Sequence, residues 1–371
     1  MISKEINLLD LFSGMGGFAK GFTDAGFIIK NHYFSDIEPN AIANYKYNFK
    51  NAIYAGPVNF ISGTSLPKVD VIAFGSPCQD FSIAGERAGL DGERSSLIYQ
   101  AIRLIHEKRP SFFIWENVKG AFSSNNSQDF WAIIQAFTNI GCYNIEWQLL
   151  NTLWLLPQNR ERIYLVGHLA TPGRSFSPIF PFTKNDRLFA KPTIAKERQT
   201  PAEHFSNHQQ DRIYDISGEM GTLSKNRCDD KTKIRIMSTH PRTGDPKTGG
   251  CGLIEKEDSS YCLDTANSIA IELHNQYRRL TEIECERLQG FPDNWTLKGL
   301  FPANKKVIKY LNKEFLTPTY QDKALHKVHN DFATVEKEIA QTNRYKLIGN
   351  AVTKNFPEII AKRLIENYKI M

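Results

Sequence analysis

A doubly wound, mostly parallel α/β sheet is the architecture that this 371-residue sequence predicts, and three observations predict it. Short apolar runs alternate with helix-compatible stretches up to about His168, the signature of strands buried on both faces and separated by crossover helices. A glycine-rich turn follows the first apolar run directly. From about Thr171 to Leu273 the alternation degrades into Pro, Gly, Ser, Thr, Asn and charged residues, which predicts a second, smaller, irregular β-rich domain.

The elements follow in order. Ile6 to Phe12 is a continuous apolar run of strand length, and Phe18 to Gly26 has helical spacing that closes on a glycine. IIKNHYFS leads into an acidic turn and a helix through Tyr45. Val69 to Phe74, Ser111 to Trp115 and Arg162 to His168 are further buried-strand candidates, with helices such as Ser95 to Glu107 between them. Helix-compatible sequence returns at Leu280 to Leu288, and a last helix is expected from Asn350 to Asn367. Lys305 to Arg344 is charged and carries no assignable period.

Composition narrows the class. A hydrophobic content of 41% supports a packed core, and no run approaches eighteen uncharged apolar residues, so no membrane span is expected. Met1 to Asp10 lacks the pattern of a signal peptide. The six cysteines (Cys78, Cys142, Cys228, Cys251, Cys262, Cys285) form no CxxC pair, which argues against a zinc site or a disulfide framework and fits a reducing cytosol. His204 and His208 stand four apart without a third ligand and read as surface residues, so no metal is implied. The net charge of +6 permits a nucleic-acid partner without demanding one.

Four segments carry possible chemistry. DLFSGMGGF puts Gly14, Gly16 and Gly17 between a strand and a helix, where the backbone can approach a ligand and a helix N-terminus favours polar groups. Asp36, after the second strand, suits ribose hydroxyls; a nicotinamide enzyme, a flavoprotein or a methyltransferase all fit, as does a tight turn with no ligand. The GxGG spacing departs from the GxGxxG dinucleotide fingerprint. GSPCQDFS follows a strand and places Cys78 at the mouth of a parallel-sheet crevice, where it is a nucleophile or an inert thiol. WENV ends a strand with Glu116, either a solvated acid or a buried one that must be protonated or hydrogen-bonded. PQNRERIY sets Arg160 and Arg162 at alternate positions, facing one way, as site residues or as exposed edge charges.

In this order the segments resemble the C5-cytosine DNA methyltransferase family. The resemblance covers Ile6 to His168 and resumes at Arg278 to Gln289 and Gly349 to Val352. It is carried by DLFSGMGGF, SDIEPNAIANYKYNF, GSPCQDFS, ENV, PQNRERIY, RRLTEIECERLQGFP and IGNAV. It implies a class I, Rossmann-like methyltransferase fold, S-adenosylmethionine as cofactor and double-stranded DNA as substrate. By that resemblance Cys78 adds to C6 of a flipped-out cytosine, Glu116 stabilises the anion at N3, and Arg162 holds O2 with Arg160 in support. Gln79, Ser82 and Asn117 shape the loop around Cys78. Phe12, Gly14, Gly16, Gly17 and Phe18 surround the methionine portion, Asp36 takes the ribose and Ile37 the adenine. Pro77, Leu97, Asn350 and Val352 complete that pocket, so the C-terminal helix must fold back onto the N-terminal domain.

The implied layout is a catalytic domain from residues 1–170 and 345–371, a target-recognition domain at 171–273, a return segment at 274–299 and an insertion at 300–344. Seven basic residues against three acidic ones between Leu223 and Gly250 give a local charge of +4. DNA-contact candidates are Thr222, Leu223, Lys225, Arg227, Lys231, Lys233 and Arg235, with a solvated face as the alternative. Two departures stand out: Pro57 occupies a position that is usually acidic in the family, and LNTLWLLPQ is one residue short and lacks its glycine. A cytoplasmic monomer of bacterial or phage origin is expected, the functional counterpart of a restriction endonuclease. A tRNA-methylating relative and a nicotinamide oxidoreductase are the competing readings; the second leaves Cys78, Glu116, Arg160 and Arg162 without a task.

Overall fold

The computed structural model describes residues 5–77, 96–123, 127–170, 177–184, 186–188, 235–238, 254–256, 263, 269–273, 276–303 and 333–369. Strands β1 (Glu5–Leu11), β2 (Ile28–Ser35), β3 (Ala52–Tyr54), β4 (Val71–Gly75), β5 (Phe112–Val118), β6 (Tyr143–Asn151) and β7 (Glu161–Leu169) form one sheet in the order β3-β2-β1-β4-β5-β7-β6. The first five run parallel, whereas β7 is antiparallel to both β5 and β6. Chain order runs outward from β1 to β3 on one side and restarts at β4 on the other. The reversal between β1 and β4 is where such sheets open a crevice beyond their carboxyl ends.

Both faces are covered, which is why the strands read as unbroken apolar runs. Successive residues of β1 point to opposite sides: Ile6 and Leu8 enter one buried cluster, Leu9 and Leu11 the other. The first cluster takes Phe18 and Phe22 from α1 (Gly17–Asp24), Ile42 and Tyr45 from α2 (Pro39–Asn48), and Phe356 and Ile360 from the C-terminal helix. The second takes Ile98 and Leu104 from α3 (Ser96–Lys108), and Phe130 and Phe137 from α5 (Gln128–Asn139), which follows the short α4 (Gly120–Ser123). Each such side chain removed from water contributes about 2 kcal/mol.

One polar chain crosses the first cluster. Tyr45 donates its hydroxyl proton to Asp10 (2.9 Å) and stands 2.7 Å from Nε2 of His32. With the tyrosine proton committed to Asp10, His32 carries its own proton on Nε2 and donates to Tyr45. Burial raises the Asp10 carboxyl well above the usual range and lowers His32 to about 4.

Four short strands beyond β7, namely β8 (Arg235–Ser238), β9 (Ile254–Lys256), β10 (Ile269–Leu273) and β11 (Gln276–Arg279), form an antiparallel sheet in the order β11-β10-β8-β9. Strands β8, β9 and β10 fall in the irregular region that the sequence marks as β-rich, and β11 lies just beyond it, in the return segment. Helix α6 (Glu282–Leu288) begins at a capping box in which the Thr281 side chain accepts from the Glu284 amide and Glu284 accepts from the Thr281 amide. Strands β12 (Lys298–Pro302) and β13 (Thr334–Glu338) pair antiparallel, so the described ends of the expected insertion lie side by side.

Several boundaries differ from the sequence reading. The strand expected over Ser111 to Trp115 continues to Val118, and the one expected over Val69 to Phe74 spans Val71–Gly75. Strands β3 and β6 and helix α5 had no clear signal; β6 is an edge strand whose residues are mostly half-buried, so its pattern is mixed. The helix expected over Asn350 to Asn367 is α8 (Asn355–Lys369), which starts five residues later, and a further helix, α7 (Gln341–Gly349), precedes it. Between them Arg160 donates to the Ala351 carbonyl (2.7 Å) and Lys354 N–H donates to the Gln289 carbonyl (3.1 Å). Partners distant in sequence take the groups that a continuous helix needs. Pro357 then sits in the first turn of α8, where a missing N–H costs nothing. Among the described residues no helix is long and apolar enough to cross a membrane.

The His32 network has a pH signature. The folded chain keeps His32 neutral down to about pH 4, whereas the unfolded chain takes up that proton near 6.5. The contribution of neutral His32 to stability is therefore full above pH 6.5 and falls as pH drops toward 4, by about 3 kcal/mol for the whole shift. Urea denaturation of wild type and His32→Phe across pH 7 to 4 checks this; the variant should show the shallower decline.

Candidate active site

Strand β1 delivers the glycine-rich loop to the crevice. Phe12, Gly14 and Gly16 all have left-handed backbones (φ 51°, 52° and 87°), which is costly for the phenylalanine and easy for the glycines. Gly16 lies beneath the ring of Phe49, and a Cβ on Gly17 would stand 2.5 Å from the Val352 carbonyl oxygen. No larger residue fits either place. The loop is tied to β2: Ser13 N–H donates to the Ser35 carbonyl (3.0 Å), and Gly14 N–H donates to Asp36 (2.8 Å). The other Asp36 oxygen accepts from the amides of Ile37 (2.7 Å) and Glu38 (2.9 Å). Burial raises the Asp36 carboxyl, and those N–H donors oppose the rise. Ile37 projects into solvent with 71% of its surface exposed, an unusual position for an isoleucine beside a polar cradle. The Phe18 ring is 2% exposed and belongs to the first cluster.

Strand β4 pairs with β1 and ends at Gly75, so the Ser76-Pro77 turn emerges next to the glycine-rich loop. Ser76 is the anchor of this turn. Its carbonyl accepts from the Asn117 amide (3.0 Å), and its hydroxyl contacts the Asn117 amide (2.9 Å) and the Trp115 indole N–H (3.0 Å). Trp115 and Asn117 share one face of β5, and Glu116 points to the other.

Glu116 is opposite Gly75 in the β4–β5 pairing, and a Cβ on Gly75 would stand 3.1 Å from its carboxyl and 3.3 Å from Val352 Cγ2. The bare backbone there leaves room for the acid. Arg162 Nε stands 3.2 Å from Glu116 Oε1 with both side chains largely buried, yet Oε1 accepts no hydrogen bond among the described residues. Burial raises the Glu116 carboxyl, and the charges of Arg162 and then Arg160 hold it down. Arg160 is 4% exposed, so neither arginine is a free edge charge. Because β7 runs antiparallel to β5, the start of β7 lies at the carboxyl end of β5, and residues that precede a strand meet residues that end one.

The remaining expected positions are scattered around this centre. Pro77 is exposed at the end of the described turn, and Leu97 is half-buried in α3 against the second cluster. Asn350 is the exposed C-cap of α7, and Val352 lies between Gly17 and Gly75. Cys78, Gln79 and Ser82 lie outside the described residues, as do Thr222, Leu223, Lys225, Arg227, Lys231 and Lys233; of Arg235 only the β8 backbone is described.

Two site features carried no sequence signal of their own. Ser76 of GSPCQDFS and Gln158 of PQNRERIY stand in these motifs without an assigned role; Asn117 and Trp115 converge on the first, and the second is a fully buried amide two residues before Arg160. In the shortened LNTLWLLPQ segment, Asn151 caps a single turn over Thr152–Trp154 by accepting from the Leu153 amide (3.0 Å). Pro57 opens a similar turn over Val58–Phe60, after Gly56 at φ 93°.

The family profile of C-5 cytosine-specific DNA methylases matches residues 6–308. The chain belongs to this family. It is a DNA (cytosine-5-)-methyltransferase, and the oxidoreductase reading is thereby set aside. The type II methyltransferase M.FnuDI of Fusobacterium nucleatum is 29% identical over 373 residues, covering 97% of this chain and 94% of its own. M.HaeII of Haemophilus aegyptius is 32% identical over 308 residues, covering 82% and 88%. The solved structure of the Dnmt2 methyltransferase of S. pombe covers 97% of this chain and 99% of its own, with a TM-score of 0.55 at 18% identity, a likeness of fold.

The Ser76 anchor predicts a measurable cost. Asn117→Ala removes two buried donors and leaves the Ser76 carbonyl unpaired, so the methyltransferase should lose about 2 kcal/mol of stability in urea denaturation. Methylation by the folded variant should fall as the turn that leads to Cys78 loosens.

Proposed function

We propose that this methyltransferase modifies a specific double-stranded DNA sequence by transfer from S-adenosylmethionine to C5 of a flipped cytosine. The observation that carries the proposal is the buried Glu116 beside Arg162, one strand from the Ser76-Pro77 turn that leads into Cys78. The type II names of the similar bacterial enzymes support a place in restriction-modification, as counterpart of an endonuclease with the same target.

S-adenosylmethionine supplies an electrophilic methyl group on a sulfonium. The residues present suit it: left-handed Phe12, Gly14 and Gly16 form a cradle for the methionine portion, with Gly17 keeping the Val352 carbonyl close. Asp36 has lone pairs left for the ribose hydroxyls after its N–H donors, and exposed Ile37 offers an apolar face to adenine. Pro77, Leu97, Asn350 and Val352 flank the same crevice in this reading.

The target atom lies within the duplex stack, so the base must be flipped out. The Cys78 thiolate adds to C6, forming an S–C6 bond and pushing electron density toward C5 and N3. Glu116, whose carboxyl burial holds above its usual range, gives N3 a proton. Arg162 holds O2, and Arg160 fixes the Ala351 backbone behind it. C5 then takes the methyl group; its proton leaves to solvent, the S–C6 bond breaks so that the thiolate returns, and N3 gives its proton back to Glu116. A thiol suits both halves, being a strong nucleophile and a good leaving group.

A duplex with 5-fluorocytosine at the target tests this sequence of steps, because fluorine cannot leave as a proton. The enzyme should stall as an adduct that needs S-adenosylmethionine, survives denaturing electrophoresis and maps to the Cys78 peptide. Cys78→Ala should lose both adduct and methylation, and Glu116→Gln should slow methylation severely. Continued C5 methylation by Cys78→Ala would refute the mechanism.

Lys231 and Lys233 belong to the basic run that we assign to DNA phosphates. Replacing both with alanine should flatten the slope of log affinity against log salt; a slope equal to wild type would make the run a solvated face.

A further inference from the structure

Met15 is the one residue of the SGMGG turn whose side chain and backbone are both held from the far end of the chain. Its side chain is 1% exposed, in a cluster with Leu263, Leu280, Cys285, Phe291, Ile348 and Ala351. Its carbonyl oxygen, between left-handed Gly14 and Gly16, accepts from the indole N–H of Trp295 at 2.8 Å.

Trp295 is itself fixed on three sides. Its carbonyl accepts from the side-chain amides of Asn44 (2.8 Å) and Asn48 (3.1 Å) on α2, and Asn44 also donates to the Lys298 carbonyl (2.9 Å) at the start of β12. Its ring meets Phe49 edge-on (centroids 5.7 Å apart) and Phe291 (5.4 Å), and Lys20 Nζ lies 5.9 Å from the ring centroid. Phe49 in turn lies against Gly16. A single side chain from residue 295 thus closes the turn from outside, using α2, which begins just after Asp36, as its support.

We infer that Trp295 is a positioning residue for cofactor binding, holding the Met15 carbonyl so that the turn keeps its ligand-ready conformation before the cofactor arrives. The inference rests on the reading of this turn as the S-adenosylmethionine cradle. A loop with two left-handed glycines has many conformations of similar energy, and ordering it upon binding would weaken affinity. The indole bond removes that ordering step, because the carbonyl is already paired and the side chain of Met15 already buried. The role is confined to binding: Trp295 touches neither the Glu116–Arg162 pair nor the Ser76 turn in any described contact, so the chemical step is left unchanged.

Trp295→Phe keeps an aromatic ring against Phe49 and Phe291 and removes only the N–H donor. With the full-length enzyme and a substrate duplex, the KM for S-adenosylmethionine should rise about threefold to tenfold, the range expected for one lost hydrogen bond. The kcat at saturating cofactor and the KM for DNA should stay within twofold. Calorimetric titration with S-adenosylmethionine should show the same loss of affinity. Asp36→Ala, measured alongside, separates the two layers of the argument. Unchanged affinity in Asp36→Ala would remove the cradle reading itself. Weakened binding in Asp36→Ala together with unchanged binding in folded Trp295→Phe would overturn the role given to Trp295 alone. A fall in kcat with unchanged cofactor KM would likewise overturn it, marking a general structural loss. If Trp295→Phe does not fold, Asn48→Ala frees one hold on the Trp295 carbonyl and should raise the cofactor KM in the same direction; no rise there would reject the inference.

Discussion

The parallel pairing of β1 with β4 is the constraint on which the site depends. Leu11 lies opposite Phe74 at the ends of these strands, so the two loops that follow must emerge side by side. One carries the left-handed turn at Gly14 and Gly16, and the other is the Ser76-Pro77 turn. The chain reverses its direction of winding between these strands, so no crossover helix fills the gap above them. The glycine-rich loop and the loop that leads to Cys78 become neighbours although their motifs lie far apart in sequence.

The antiparallel β7 completes the arrangement. A parallel strand there would put PQNRERIY at the amino end of the sheet, far from Glu116. Reversal brings the start of β7 to the end of β5, where Arg162 offsets part of the desolvation that Glu116 suffers. The balance matters for chemistry: burial alone would keep the carboxyl neutral, and full ion pairing would keep it charged. One carboxylate oxygen accepts no hydrogen bond among the described residues, and Arg162 stands beside it.

The chain's far end serves the same crevice through hydrogen bonds rather than through helical continuity. Arg160 takes the Ala351 carbonyl, Gln289 takes the Lys354 amide and the Thr353 hydroxyl, and Val352 is left between Gly17 and Gly75. These bonds hold the link between α7 and α8 beside Gly17 and Gly75. Trp295 does the equivalent for the glycine-rich turn from the return segment.

Sequence by itself determined the fold class, the central strands and the motifs, because burial on both faces leaves continuous apolar runs and tight turns leave glycines. Taken alone, Asp36, Glu116, Arg160 and Arg162 kept ordinary structural readings, and it was the order of the motifs and their resemblance to the methyltransferase family that singled them out. Only the tertiary structure decided that Glu116 is buried against Arg162, that Ser76 anchors the turn, that β7 is antiparallel and that the last helix starts only at Asn355, after a link held by Arg160 and Gln289. The physical reason is common to all four. Each depends on a hydrogen bond, an ion pair or a strand pairing between segments tens to hundreds of residues apart, and local periodicity carries no record of such a partner.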